Sequence, residues 1–261
     1  INNMVLKLGI LASGRGSDFQ AILDHVKMGI LQNVAIEALV CNVENAFVIE
    51  RAKNQGIGTN FIQGSAGMKF ESNNEREKFR EDFDSKIIEI FNKKDIDLVV
   101  CAGFNQIISN VLVKEFTNKI LNIHPAYDVK RFGGHGMVGM KVHEEVIKER
   151  EEISGCTVHY IDSTVDRGPI LLQAKVPVYE NDSAELLSER VLVIEHRTYP
   201  KAIQLHVDGR VKINDNKADV DLKSENWENK WNKNQIKYCL YQRDEWKKQG
   251  KDLAKILHPD L

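Results

Sequence analysis

Cysteine and proline are scarce in this 261-residue chain, with four of one and five of the other. Cys41, Cys101, Cys156 and Cys239 stand far apart with no C-x-x-C spacing. That spacing excludes a zinc ribbon and a disulfide framework, and it points to a reducing cytoplasm. No stretch approaches 18 consecutive apolar residues, and the first residues lack the charged-then-apolar order of a secretory signal, so neither a membrane span nor export is expected. An excess of one charge sign is missing too. Thirty-six basic against 38 acidic residues leave a net charge of −2, so nothing in the composition calls for nucleic acid or an anionic membrane. Small molecules are the expected partners.

What is present is a 42% apolar chain, long enough for a sizeable core in one α/β domain with an appendage. Runs rich in β-branched residues, at Val5–Ala12, Val34–Cys41, Asp97–Gly103 and Lys119–Ile123, alternate with helical patterns such as Ser17–Lys27 and Arg76–Asn92. This alternation predicts a Rossmann-like, mostly parallel sheet flanked by helices. After residue 150, Gly155–Asp162 and Ile170–Val178 read as strands around a turn, and Ser183–His206 as a long helix. An antiparallel addition at the sheet edge is therefore expected in the C-terminal half. From Ala218 the chain turns polar and carries all three tryptophans, Trp227, Trp231 and Trp246. Residues 1–217 are thus read as one domain and 218–261 as an extension, helical at Gln235–Leu257. Its tryptophans need apolar cover, either from the main domain, which is the expected use, or from a homodimer or partner contact.

Four segments carry chemistry. Leu121-Asn122-Ile123-His124-Pro125 ends a strand, where Asn122 and His124 alternate and so share a face. Val165-Asp166-Arg167-Gly168-Pro169 supplies a carboxylate. An amide N–H, an imidazole that titrates near neutrality and a carboxylate suit acyl transfer without a covalent intermediate: the amide meets a developing oxyanion, the imidazole moves a proton, and the carboxylate favours the charged ring. Taken singly, each residue has a plainer use, His124 as a packed core residue and Asp166 as a turn former. Between the first strand and first helix, Ala12-Ser13-Gly14-Arg15-Gly16-Ser17-Asp18 forms a glycine loop facing a helix N-terminus, where a monophosphate would sit. The competing use is a turn with Ser17 as helix cap. Ala102-Gly103-Phe104-Asn105-Gln106-Ile107-Ile108 follows another strand at its carboxyl end, where open α/β sheets bind ligands. A plain passage into a helix capped by Ser109 or Asn110 is the other reading.

In this order, over residues 5–213, these segments resemble the folate-dependent formyltransferases, most closely those acting on glycinamide ribonucleotide. Val99-Val100-Cys101-Ala102-Gly103-Phe104, Gly155-Cys156-Thr157-Val158-His159-Tyr160, Asp166 through Val178 and Glu195-His196 carry the likeness together with the segments above. The resemblance implies transfer of the formyl group of 10-formyltetrahydrofolate to the amine of 5'-phosphoribosylglycinamide, in purine biosynthesis and without a metal. It implies Asn122, His124 and Asp166 as catalytic residues. Gly16, Ser17 and Asp18 would cradle the phosphate, and Glu195 would bind the amine end. Arg76, Asn105, Gln106, Ile107 and Ile108, with Asp162, Ser163, Thr164 and Val165, would line the folate site. Departures from the family pattern fall at Ala126-Tyr127-Asp128-Val129, at Asp18 where Asn is frequent, and at Asn105-Gln106 where Met-Arg is frequent. The alternatives are a hydrolase passing the formyl group to water, and a silent folate- or ribonucleotide-binding relative.

Overall fold

The computed structural model describes residues 5–222 and 225–259; residues 223–224 and 260–261 of the extension lie outside the described residues. The apolar runs become strands β1 (Leu6–Ala12), β2 (Val34–Cys41), β3 (Gly58–Phe61), β4 (Leu98–Cys101) and β5 (Ile120–His124), all parallel. Two antiparallel strands, β6 (Ile153–Tyr160) and β7 (Ile170–Pro177), extend the sheet beyond β5 to give the order β3-β2-β1-β4-β5-β6-β7. Chain order reverses between β1 and β4, and the crevice at their carboxyl ends is where a doubly wound sheet receives its ligand.

Helices α1 (Ser17–Lys27), α2 (Phe47–Lys53), α3 (Asn73–Asn92), α4 (Asn110–Glu115), α5 (Val129–Phe132), α6 (Met140–Lys148) and α7 (Ala184–Val207) fill the connections. The two faces of the sheet bury separate cores: Leu8, Ile10, Phe19, Leu121 and Tyr199 on one, and Leu11, Phe83, Ile87, Phe91 and Val99 on the other. Helix α3 begins three residues before the apolar pattern does, because Ser72 accepts a hydrogen bond from Glu75 N–H and caps it. Helix α7 is pinned beneath the sheet by the Tyr199 hydroxyl, 2.8 Å from the Cys101 carbonyl and 2.9 Å from that of Leu121.

A hairpin, β8 (Val211–Asn214) and β9 (Lys217–Val220), follows α7 and packs Val211, Ile213, Ala218 and Val220 against the main core. Two helices complete the chain, α8 (Glu225–Lys248) and α9 (Leu253–Leu257). The single helix expected at Gln235–Leu257 is therefore corrected: it starts earlier and breaks at Gly250. That glycine takes φ 75°, and the N–H groups of Gly250 and Lys251 return to the carbonyls of Lys247 and Trp246, a Schellman end that stops the helix. Trp231 and Tyr238 of α8 cover Ala21 and Ile30, while Trp246, Leu253 and Ile256 cover Val193. No helix among the described residues is long and apolar enough to cross a membrane.

Candidate active site

The β5–β6 pairing brings together residues that are far apart in the chain. Asn122 lies opposite His159 in the ladder and His124 opposite Thr157. Asn122 Nδ2 is 3.2 Å from His159 Nε2, and His159 Nδ1 is 3.0 Å from the Tyr160 carbonyl. The carbonyl can only accept, so Nδ1 carries a proton, while Nε2 faces both the Asn122 amide and the Asp166 carboxylate. His159 is 2% exposed and fixes the carboxamide's orientation.

Asp166 comes from the β6–β7 loop with φ 54°, an uncommon conformation for a residue other than glycine. The loop approaches β6 closely at Gly168, where a Cβ would lie 1.9 Å from the Tyr160 carbonyl oxygen. Asp166 Oδ2 accepts the Gly134 N–H at 2.9 Å and stands 3.7 Å from His124 Nδ1; its Oδ1 stands 3.5 Å from His159 Nε2. Burial pushes the Asp166 carboxyl up, but the His159 hydrogen bond, the His124 charge and the Gly134 N–H outweigh it and hold it below the ordinary carboxylate value. It is the anion of the group.

His124 Nε2 lies 2.6 Å from the Phe132 carbonyl. Both ring nitrogens thus face acceptors, and only the imidazolium has an N–H for each. Burial works against that charge. It pulls the His124 pKa below its usual value, outweighing Asp166 and the Phe132 carbonyl, which raise it. The carboxylate does raise this pKa, as the sequence suggests, but desolvation is the larger effect and sets the net direction. The result is a stronger acid, readier to give its proton to a developing oxyanion.

His143 on α6 also feels His124. It is buried, its Nδ1 lacks a partner in the described structure, and burial first and the His124 charge second take its pKa down to about 4. The folded state therefore favours neutral His143: this contribution to stability is complete above the unfolded value near 6.5 and is lost as pH falls toward 4. In urea melts at pH 7 and pH 5, His143→Leu should show a smaller acid loss of stability than the parent.

The glycine loop ends β1 and starts α1. Gly16 is the cap residue, at φ 70°, and a Cβ there would lie 2.4 Å from Val48 Cγ2. The cap position therefore falls on Gly16 and Ser17 is the first helical residue, so the reading of Ser17 as the helix cap is corrected. A glycine at this point leaves the first N–H groups of α1 at the loop. Gly16→Ala should cost about 1–2 kcal/mol of stability in urea melts, from left-handed strain and the Val48 overlap. Three side chains brace the crevice: Ser13 Oγ donates to Asn42 Oδ1 and accepts the Asn105 N–H, and Asn42 Nδ2 donates to Asn105 Oδ1.

Asp18, 8% exposed, has an Oδ1 without a partner in the described structure. Burial raises its pKa to about 7. Glu195 on α7 is buried as well and raised well above the usual value, by burial first and by Asp18 second. The loop and the expected amine-end residue thus face one another.

On the other side of the sheet, Gln106 is buried and its Oε1 accepts the N–H and hydroxyl of Ser65. The Ser109 cap is real as well: its hydroxyl accepts the Val111 N–H, and its own N–H goes to Asp84. Arg76 stacks over Phe70 at 5.7 Å, at the end of an aromatic row through Phe79 and Phe83 to Phe104. Among the described residues it shares no hydrogen bond or ion pair with Asn122, His124 or Asp166. Asp162 accepts the Thr164 N–H and shapes the loop that leads to Asp166. His159, the Phe132 carbonyl and the Gly134 N–H were not legible as site groups from residue type. His159 stood in a segment of the resemblance, but only strand register sets it against Asn122.

The decisive comparison is with family models: residues 6–203 match the formyl transferase family. The chain belongs to that family. Its formyl transferase region resembles the phosphoribosylglycinamide formyltransferase of Escherichia coli strain K12, with 35% identity over 216 residues, covering 83% of this chain and 94% of that one. It is also 34% identical over 211 residues to the trifunctional purine biosynthetic protein adenosine-3 of Bos taurus; the match covers 80% of this chain and 19% of that longer protein. Among solved structures, glycinamide ribonucleotide transformylase 1 from Symbiobacterium toebii superposes with a TM-score of 0.73 at 32% identity, over 84% of this chain and 95% of that one. The formyl transferase match ends before β8, β9, α8 and α9, which lie outside it.

Proposed function

We propose that this formyl transferase moves the formyl group of 10-formyltetrahydrofolate to the amine of 5'-phosphoribosylglycinamide in purine biosynthesis, in the cytoplasm. The observation that carries the reading is the closed set Asn122–His159–Asp166–His124 at the carboxyl end of the sheet. Beside it lie an open helix N-terminus suited to a phosphate and a buried carboxyl pair suited to N–H groups. The near-full-length likeness to the Escherichia coli enzyme supports the same substrate pair.

The amine lone pair forms the new C–N bond, and the carbonyl electrons move to the formyl oxygen. The second amide N–H of Asn122 and the imidazolium of His124 stabilise that oxygen. Collapse breaks the bond to the folate nitrogen, and one proton passes overall from the amine to that nitrogen, with Asp166 holding the charged ring in place. Gly16, Ser17 and Asp18 offer backbone N–H groups to the phosphate, and Glu195 receives the glycinamide end. Arg76, Asn105–Ile108 and Asp162–Val165 border the folate. Cys101 is no nucleophile, since burial pushes its thiol far up.

The test is the absorbance change on tetrahydrofolate release with and without the ribonucleotide. Product that requires both substrates is the expected result. Product formed equally without the ribonucleotide would make the chain a hydrolase, and folate binding without any product would make it a silent relative.

A further inference from the structure

The geometry points to Gln242 of the C-terminal extension as a positioning residue for the ribonucleotide half of the site. This rests on the proposed role of Glu195. Gln242 is buried, and it uses both ends of its amide on one helix. Its Oε1 accepts from Arg197 Nε at 2.9 Å; its Nε2 lies 3.2 Å from the Val193 carbonyl and 3.5 Å from His196 Nδ1. Val193, His196 and Arg197 are spaced i, i+3, i+4 and so form a single stripe on α7. Glu195 lies about 200° around the helix from Val193, on the side turned away from that stripe. Gln242 therefore grips α7 from behind, at the turn that bears Glu195.

The same helix holds the other wall. Seven residues earlier, about two turns along α8, Gln235 Nε2 lies 2.8 Å from His25 Nε2, and His25 Nδ1 lies 2.7 Å from the Ala21 carbonyl. The His25 ring also lies 3.9 Å from that of Tyr238, tilted by 38°, and stacks on Trp231 at 6.2 Å. These contacts fall on α1, whose first turn carries Ser17 and Asp18. Helix α8 is thus a brace across α1 and α7, fixing the distance between the phosphate loop and the amine-end carboxyl. Neither element of the folate half, α3 or the segment after β4, shares a hydrogen bond or a core cluster with α8 among the described residues. Misplacement by loss of the brace should fall on one substrate only.

The experiment compares full-length parent, Gln242→Leu and Gln242→Glu in steady-state kinetics with each substrate varied. Gln242→Glu keeps the Arg197 contact and loses the donor to Val193. Gln242→Leu should raise KM for the ribonucleotide about tenfold, the usual size of one or two lost buried hydrogen bonds, with KM for the formyl donor unchanged and with Gln242→Glu in between. Equal changes in both KM values, or an unchanged ribonucleotide KM in folded protein, would overturn the inference. If Gln242→Leu does not fold, Gln242→Glu decides the matter and must show the same selective rise. A parent protein without ribonucleotide-dependent turnover would fault the functional reading instead. The brace is then read from amide exchange of Val193–Arg197, which should quicken in Gln242→Glu and would count against it if unchanged.

Discussion

Asn122→Ala should lower kcat by about 10²–10³, equivalent to about 3–4 kcal/mol of barrier, the cost of removing one oxyanion donor. The residue is half-buried and its amide has two N–H groups. One faces His159 Nε2, and the other is left for a reacting oxygen. Alanine removes both, so the oxygen loses a donor and His159 loses its partner while Asp166 and His124 keep theirs. The expected pattern is a fall in kcat with nearly unchanged KM for either substrate and a near-parental melting temperature. A change confined to KM would mean that Asn122 merely binds and does not stabilise the transition state.

Arg190→Ala should destabilise the fold by about 3–5 kcal/mol, because it strands a buried carboxylate. The guanidinium is fully buried on α7. It donates to both carboxylate oxygens of Asp182, one at 2.8 Å, to the Pro177 carbonyl at 3.2 Å and to the Ile256 carbonyl at 2.8 Å. Its carbon end also lies 4.6 Å from the Tyr179 ring centre. One side chain thus ties the end of β7, the start of α7 and α9 together. Urea denaturation of Arg190→Ala, Asp182→Asn and the double variant checks this. The double variant should be less unstable than the sum of the singles, since most of the loss is the penalty on the unpaired partner. Strict additivity would refute the coupling.

The parallel half of the fold was readable because its signals are local. β-branched runs at Val34–Cys41 and helical spacing at Ser17–Lys27 report burial directly, and both elements fall where the pattern puts them. Strand β3 escaped because its four residues, Gly58–Phe61, are only partly covered and carry no apolar run. Helix α5 escaped because its four residues, Val129–Phe132, are too few to show a period, whereas α6 is amphipathic, with Val142, His143 and Val146 buried on one face, and was legible in principle. The break of the last helix at Gly250 was missed because its apolar spacing continues across the glycine.

Residue type and order alone determined the kind of chemistry: a carboxamide and an imidazole alternating on one strand, a carboxylate before a Gly-Pro turn, and a glycine loop ahead of a helix. Tertiary structure alone decided how those groups work. Register between β5 and β6 sets His159 against Asn122, and a loop closing over the strand end gives His124 and Asp166 backbone partners. Burial then turns His124 into a stronger acid than its neighbouring carboxylate would suggest. Desolvation and cross-strand register depend on what the rest of the chain places around a residue, and no stretch of neighbours in sequence carries that information.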